Sequence, residues 1–158
     1  MKDVSGVIIF DGFKVERFRF DWDVSEKKEN HAYRYNIAYT GQTFEDQSKQ
    51  IDLIIRLFCN ESDDYENSPV KLELILAGKF HQADDTAWDD RWDSNALAIL
   101  FPYARSIIAC FTAQTGLETI NLPTVNTRAL IRTETIMAES EENLSITKAM
   151  SQTELPLD

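Results

Sequence analysis

Four stretches in the first half of the chain alternate apolar and polar residues with the two-residue period of half-buried strands. In the first, Phe13 and Val15 sit on one parity and Phe18 and Phe20 on the other, which predicts a change of register near Glu16 and Arg17, such as a β-bulge. The second places Tyr33, Tyr35, Ile37 and Tyr39 on one face, with Gly41 following. The third sets Ile51, Leu53, Ile55, Leu57 and Cys59 against Asp52, Ile54, Arg56 and Phe58. The fourth sets Val70, Leu72, Leu74 and Leu76 against Lys71 and Glu73, and Gly78 precedes Phe80. The connections read as short and polar, above all Glu61 to Pro69, so antiparallel pairing in a meander is expected; parallel strands need crossovers of about a dozen residues or more. Each strand keeps one apolar side, and one sheet face therefore requires a cover.

That cover is predicted after residue 100. Pro102 suits a first helical turn, and Ala104, Ile107, Ile108 and Phe111 then recur on one helix face until Gly116 ends it. A second helix is expected after Asn126, a good N-cap, with Leu130, Ile131, Ile136 and Met137 as apolar positions. Beyond Ala138 the periodicity dissolves into an acidic stretch read as a mobile tail. The expected architecture is α+β in two layers, a four-stranded antiparallel sheet covered by two helices, with one domain over 1–137 and the tail over 138–158.

The length of 158 residues suits a single domain, and 16 Lys and Arg against 27 Asp and Glu give a net charge of −11. Such a chain repels phosphate backbones, so nucleic-acid binding through a basic footprint is excluded and anionic membranes are disfavoured. The first residues lack a basic segment and a small-residue cleavage site, and the longest apolar run, Ala96 to Phe101, falls far short of the roughly 20 residues of a spanning helix. No signal peptide and no membrane insertion are expected. Cys59 and Cys110 lie in apolar patterns as free thiols, which fits a cytoplasmic location.

Catalytic chemistry is not indicated. The two histidines, His31 and His81, flank predicted strands, and the chain carries no glycine-rich phosphate loop, His-x-x-x-His or Gly-x-Ser-x-Gly pattern, so neither enzyme nor cofactor is expected. Asp84, Asp85, Asp89, Asp90 and Asp93 crowd one segment without calcium-loop spacing and read as a solvated acidic connector, with no metal site. Within it Trp88 and Trp92 are four apart; one helical turn would put both rings on one side, either against the core or partly open as a contact surface. Aromatics make up 11% of residues, many in or beside the strands, including Phe10, Phe13, Phe18, Phe20 and Trp22. That exceeds what a thin sheet-on-helix core needs, and aromatic grooves bind varied apolar peptides with little sequence demand.

Ile99-Leu-Phe-Pro-Tyr-Ala-Arg105 ahead of an apolar helix, and Ile120-Asn-Leu-Pro-Thr-Val-Asn126 leading to Ala129 and Leu130, resemble the SecB export-chaperone family. Leu72 to Phe80 is similar to the family's fourth strand, and Phe20-Asp21-Trp22 to the entry of its long connection between the first two strands. The resemblance implies a homotetramer, a dimer of dimers, whose apolar grooves hold unfolded preproteins in the cytoplasm and whose acidic sheet surface docks SecA. Four chains would carry 4 × (−11) = −44 charges. On this reading Trp22, Phe44, Trp88, Trp92 and Ile131 bind peptide, and Glu73 matches an acidic docking position. Phe101, Tyr103, Ala104, Arg105 and Ile108 would form the oligomer interface. Two departures, the Asp/Trp-rich stretch from Gln82 to Asn95 and a more polar second helix with Thr133, Glu134 and Thr135, point to an alternative: a dedicated chaperone or adaptor for one partner, for example an antitoxin.

Overall fold

The computed structural model describes residues 7–23 and 32–130, and contacts divide the chain into two units between Val125 and Asn126. In the first unit the alternating segments form strands β1 (Ile8–Trp22), β2 (Tyr33–Thr43), β3 (Lys49–Cys59) and β4 (Val70–Gln82), followed by a 3-10 turn at Asp90–Trp92 and the helix α1 (Asp93–Thr112). All ladders are antiparallel, in the order β1-β4-β3-β2.

Strands β2, β3 and β4 make the expected meander, but β1 does not continue it: β1 pairs with β4, so β1 and β2 are the two edges of the sheet. The aliphatic strands take the centre, where both neighbours satisfy their backbone groups and α1 seals their side chains. Tyr33, Tyr35 and Tyr39 tolerate an edge because a phenol carries a polar tip.

The register change predicted in β1 is present. Between Val15 and Arg17 the pairing slips by one residue, so Phe13 and Val15, opposite Gly78 and Leu76, share a face with Phe18 and Phe20, opposite Leu74 and Leu72. A second slip, unsignalled by the alternation, lies between Phe10 and Gly12, and Gly12 takes φ 119°, a left-handed conformation that glycine adopts without strain.

Helix α1 begins at Asp93, ahead of the predicted start at Pro102, which lies exposed inside the helix. Leu97, Leu100, Phe101, Ala104, Ile108 and Thr112 recur every three or four residues as one buried stripe. The gain from seating that whole stripe outweighs the backbone hydrogen bond that proline forfeits. By length and composition α1 could cross a membrane, with mean hydropathy 1.3, but its apolar stripe lies against the sheet. It packs on β3 and β4. At the closest approach the residue must be glycine, because a Cβ on Gly78 would stand 2.5 Å from Leu100 Cδ2. After the helix, Thr112 Oγ1 donates to the Ile108 carbonyl (2.8 Å) and accepts from Ile120 N (2.9 Å), which ties down a segment with Ile120 and Leu122 buried.

Three residues assigned by resemblance to an oligomer contact, Phe101, Ala104 and Ile108, are thus buried in this chain's own core, while Tyr103 and Arg105 are exposed. The described part of the second unit is a helical turn over 127–130, capped as expected: Asn126 Oδ1 accepts from the backbone N–H of Arg128 (3.1 Å) and Ala129 (3.3 Å). Ile131, Ile136, Met137, the expected boundary at 137/138 and the acidic tail lie outside the described residues.

Candidate functional site

A helix is about 10 Å across and strands are about 4.8 Å apart, so one helix covers about two strands. With α1 over β3 and β4, the inward row of β1 projects beyond its cover. That row carries Phe10, Phe13, Val15, Phe18 and Phe20 over about 30 Å of strand. From the helix side, Tyr103 and Phe111, two turns apart, reach across to it. Phe13 and Tyr103 stand 4.7 Å apart, Phe10 and Tyr103 5.8 Å, Phe18 and Phe111 4.6 Å, and Phe20 and Phe111 5.3 Å between ring centroids. Phe10 also stacks on core Phe80 at 5.2 Å, which anchors one end of the seam.

These contacts do not close it. Val15 remains 45% exposed, Tyr103 42%, Phe13 40% and Phe111 38%. The rings offer broad apolar area with few rotors. An exposed apolar surface of this kind is a contact surface. On the opposite flank Tyr33, Tyr35, Ile37 and Tyr39 of β2 line the same sheet face, half-buried. Burial first, then neighbouring Cys59 and Glu118, pushes the Tyr33 phenol up to about 12.

The residues singled out in the sequence scatter. Trp22 ends the seam row of β1, half-buried, and its indole N–H has no partner among the described residues. Phe44 lies off the seam, in the turn between β2 and β3, where Lys79 Nζ sits 5.8 Å over its ring. Trp88 is a core residue: its indole N–H donates to Asp93 Oδ1 at 2.8 Å and its ring stands 6.1 Å from Phe80. Trp92 closes the 3-10 turn, half-buried. Ile131 is outside the described residues.

The Asp/Trp-rich segment is a tied clasp rather than a solvated connector. Gln82 donates to Thr86 Oγ1 (2.8 Å) and accepts from Asp89 N (2.8 Å), Asp89 caps the 3-10 turn, and Lys49 pairs with Asp90 (3.3 Å). Burial raises the Asp93 carboxyl above its ordinary range, opposed by the Trp88 hydrogen bond and by Lys49. Among the described residues no three His, Cys, Asp or Glu side chains gather as metal ligands would.

Glu73 is not an exposed acid. It is 5% exposed and sits on the outer sheet face between Arg56 Nε at 2.6 Å and Arg17 Nη1 at 3.2 Å. The Arg56 hydrogen bond, then that of Arg17, holds its carboxyl below the usual range against the opposing effect of burial. The exposed groups that flank it are the guanidiniums of Arg17 and Arg56. The seam residues, in contrast, were not singled out one by one. The signal existed in two patterns read together: the parity of β1 across its bulge, and Tyr103, Ile107 and Phe111 at i, i+4 and i+8.

No family model matches the chain. An uncharacterized protein of Methanocaldococcus jannaschii, MJ0357, is 28% identical over 111 residues, which cover 69% of this chain and 72% of that one. Among solved structures, the SecB-like chaperone Rv1957 of Mycobacterium tuberculosis, in complex with a ChAD peptide from the HigA1 antitoxin, superposes with a TM-score of 0.56 at 11% identity, over 75% of this chain and 90% of that one. That likeness concerns the fold: an α+β, SecB-like arrangement of a four-stranded antiparallel sheet with a helix on one face.

Proposed function

We propose that this protein is a SecB-like chaperone that holds unfolded or precursor polypeptides along the aromatic seam between β1 and α1. The observation that carries the reading is the continuous half-exposed row of Phe13, Val15, Tyr103 and Phe111 backed by Phe10, Phe18 and Phe20. An aromatic side chain presents 150–250 Å² in all. The area still open on the four exposed residues is therefore about 250 Å², or about 6 kcal/mol before costs. Association costs about 4–15 kcal/mol, so one seam binds weakly and releases readily. Several seams acting on one client chain raise the avidity, and a homotetramer supplies them. Of the residues that the resemblance places at its contacts, Arg105 is exposed and lies outside the seam, free to serve there. Cytoplasmic holding of clients and their transfer to SecA belong to the same reading, with the SecA contact elsewhere than at buried Glu73.

The test is light scattering by a reduced, denatured client. Wild type at stoichiometric amounts is expected to suppress aggregation, and the double variant Phe13→Ser/Phe111→Ser to lose at least half of that effect with an unchanged helix and sheet spectrum. Absence of suppression by wild type across several clients and salts would sink the proposal. A second reading, a chaperone dedicated to one partner such as an antitoxin, is favoured by the peptide bound to the Mycobacterium tuberculosis neighbour. Competition separates the two: a dedicated chaperone keeps its partner in the presence of excess unrelated unfolded chains, whereas a general one exchanges it.

A further inference from the structure

The face of the sheet opposite α1 has a charge unlike that of the whole chain. Seven of the 16 Lys and Arg residues occupy its outward, ladder-paired positions: Lys14, Arg17 and Arg19 on β1, Lys71 and Lys79 on β4, Arg56 on β3 and Arg34 on β2. The carboxylates at such positions are Asp21, Asp52 and Glu73; Asp21 pairs with Arg19 (2.9 Å), and from outside the ladder Glu16, Glu66 and Asp46 pair with Lys14 (2.9 Å), Lys71 (3.6 Å) and Lys79 (3.8 Å), which leaves the uncompensated charge at the centre of the face. At the centre one anion serves two cations. Glu73 engages one nitrogen of each guanidinium, and the side chains of Arg17 and Arg56 stay 63% and 51% exposed. A guanidinium has five N–H donors, so both keep donors toward solvent, and the triad carries one net positive charge.

Arg56, Lys71 and Arg34 are also braced. The Tyr65 ring lies 5.7 Å from Arg56 and 5.5 Å from Lys71, Phe58 lies 5.6 Å from Arg34, and Arg34 Nη2 donates to the carbonyls of Asn60 (2.7 Å) and Ser62 (2.9 Å). Bracing removes part of the rotamer entropy that a flexible arginine loses on binding. In the next ladder row, Ile54 and Ile75 lie half-buried beside the arginines and give the patch an apolar floor.

We propose that this outer face docks an acidic polypeptide segment, whose carboxylates pair with Arg17 and Arg56 on either side of Glu73 and whose apolar residues rest on Ile54 and Ile75. At physiological salt the acids of the chain that lie more than about 8 Å from a docked carboxylate are largely screened, so the arginine forks in contact with it outweigh the overall charge of −11. The surface stands apart from the seam, and its success or failure is independent of the chaperone reading.

The experiment is fluorescence anisotropy of a labelled peptide of alternating Glu and Leu, with a Lys/Leu peptide and a single-stranded oligonucleotide as rivals, on the full chain. Binding of the Glu/Leu peptide is expected, weakened at least fivefold by Arg17→Gln/Arg56→Gln, weakened by salt, and unchanged by Phe13→Ser/Phe111→Ser. Glu73→Gln frees both arginines and is expected to tighten binding about threefold or more, a gain that a misfolded variant would not give. No binding of the Glu/Leu peptide, tighter binding of either rival, or indifference to both the arginine and the Glu73 changes overturns the proposal.

Discussion

The inward rows of β1 and β4 are neighbours in one ladder and are built from the same kind of residue, yet their fates differ. Leu72, Leu74 and Leu76 of β4 are fully buried, whereas Val15, paired directly with Leu76, is 45% exposed. Hydropathy does not separate them, since valine and leucine both rank among the residues most often found fully buried. The reach of α1 does: the helix backs β3 and β4 and touches β1 with side chains alone. An exposed apolar row at a sheet edge is thus a product of the width of the cover.

The largest test of this contrast is truncation on the two rows. Leu74→Ala is expected to cost about 3 kcal/mol in denaturant unfolding, as fully buried leucines do when a cavity is left behind. Val15→Ala should cost under about 1 kcal/mol, since half of its surface is wet already. Equal losses would mean that the seam closes in solution and that the contrast is false. Next comes the contact that sets the depth of the helix. Gly78→Ala places a methyl against Leu100 and is expected to cost about 1–3 kcal/mol, and the double variant Gly78→Ala/Leu100→Ala is expected to lose less than the sum of the two single changes. Additive losses would show that the close approach is not the cause.

A pH titration of stability compares two carboxyls that are both withdrawn from water. Glu73 lies between arginines and its affinity for protons falls on folding, so its contribution is present above about 4.5 and is lost as pH drops below that value. Asp93 lies under the clasp and its affinity rises on folding, so stability declines as pH climbs from about 3.8 through its raised value. Chemical denaturation from pH 3 to 7 is expected to show the acid loss diminished in Glu73→Gln. Asp93→Asn should look better relative to wild type at pH 7 than at pH 3.5; the reverse order for either variant contradicts the assigned causes. The smallest effect belongs to the surface pair of Lys79 and Phe44, where Lys79→Gln should change stability by about 0.5 kcal/mol or less.

Much of the fold was legible in the sequence. Alternation located all four strands and the bulge near Glu16, and Asn126 announced a cap. The start of α1 was misplaced because Pro102 was read as a boundary, while the apolar recurrence from Leu97 onward was strong enough to run through it. The site was legible as an excess of rings and not as individual positions. Trp88 was open to a core or a contact role, and its indole N–H found Asp93 and its ring Phe80; Phe111, expected on the covering face of the helix, stayed half in water beside Phe13.

Period and composition are local properties, and they determined the elements, their apolar sides and the surplus of aromatic surface. Which strand stands at the edge, how far one helix reaches, and that Arg17 and Arg56 enclose Glu73 depend on residues brought together from distant parts of the chain. Those pairings follow from the competition of whole surfaces for cover, which the tertiary structure alone resolves.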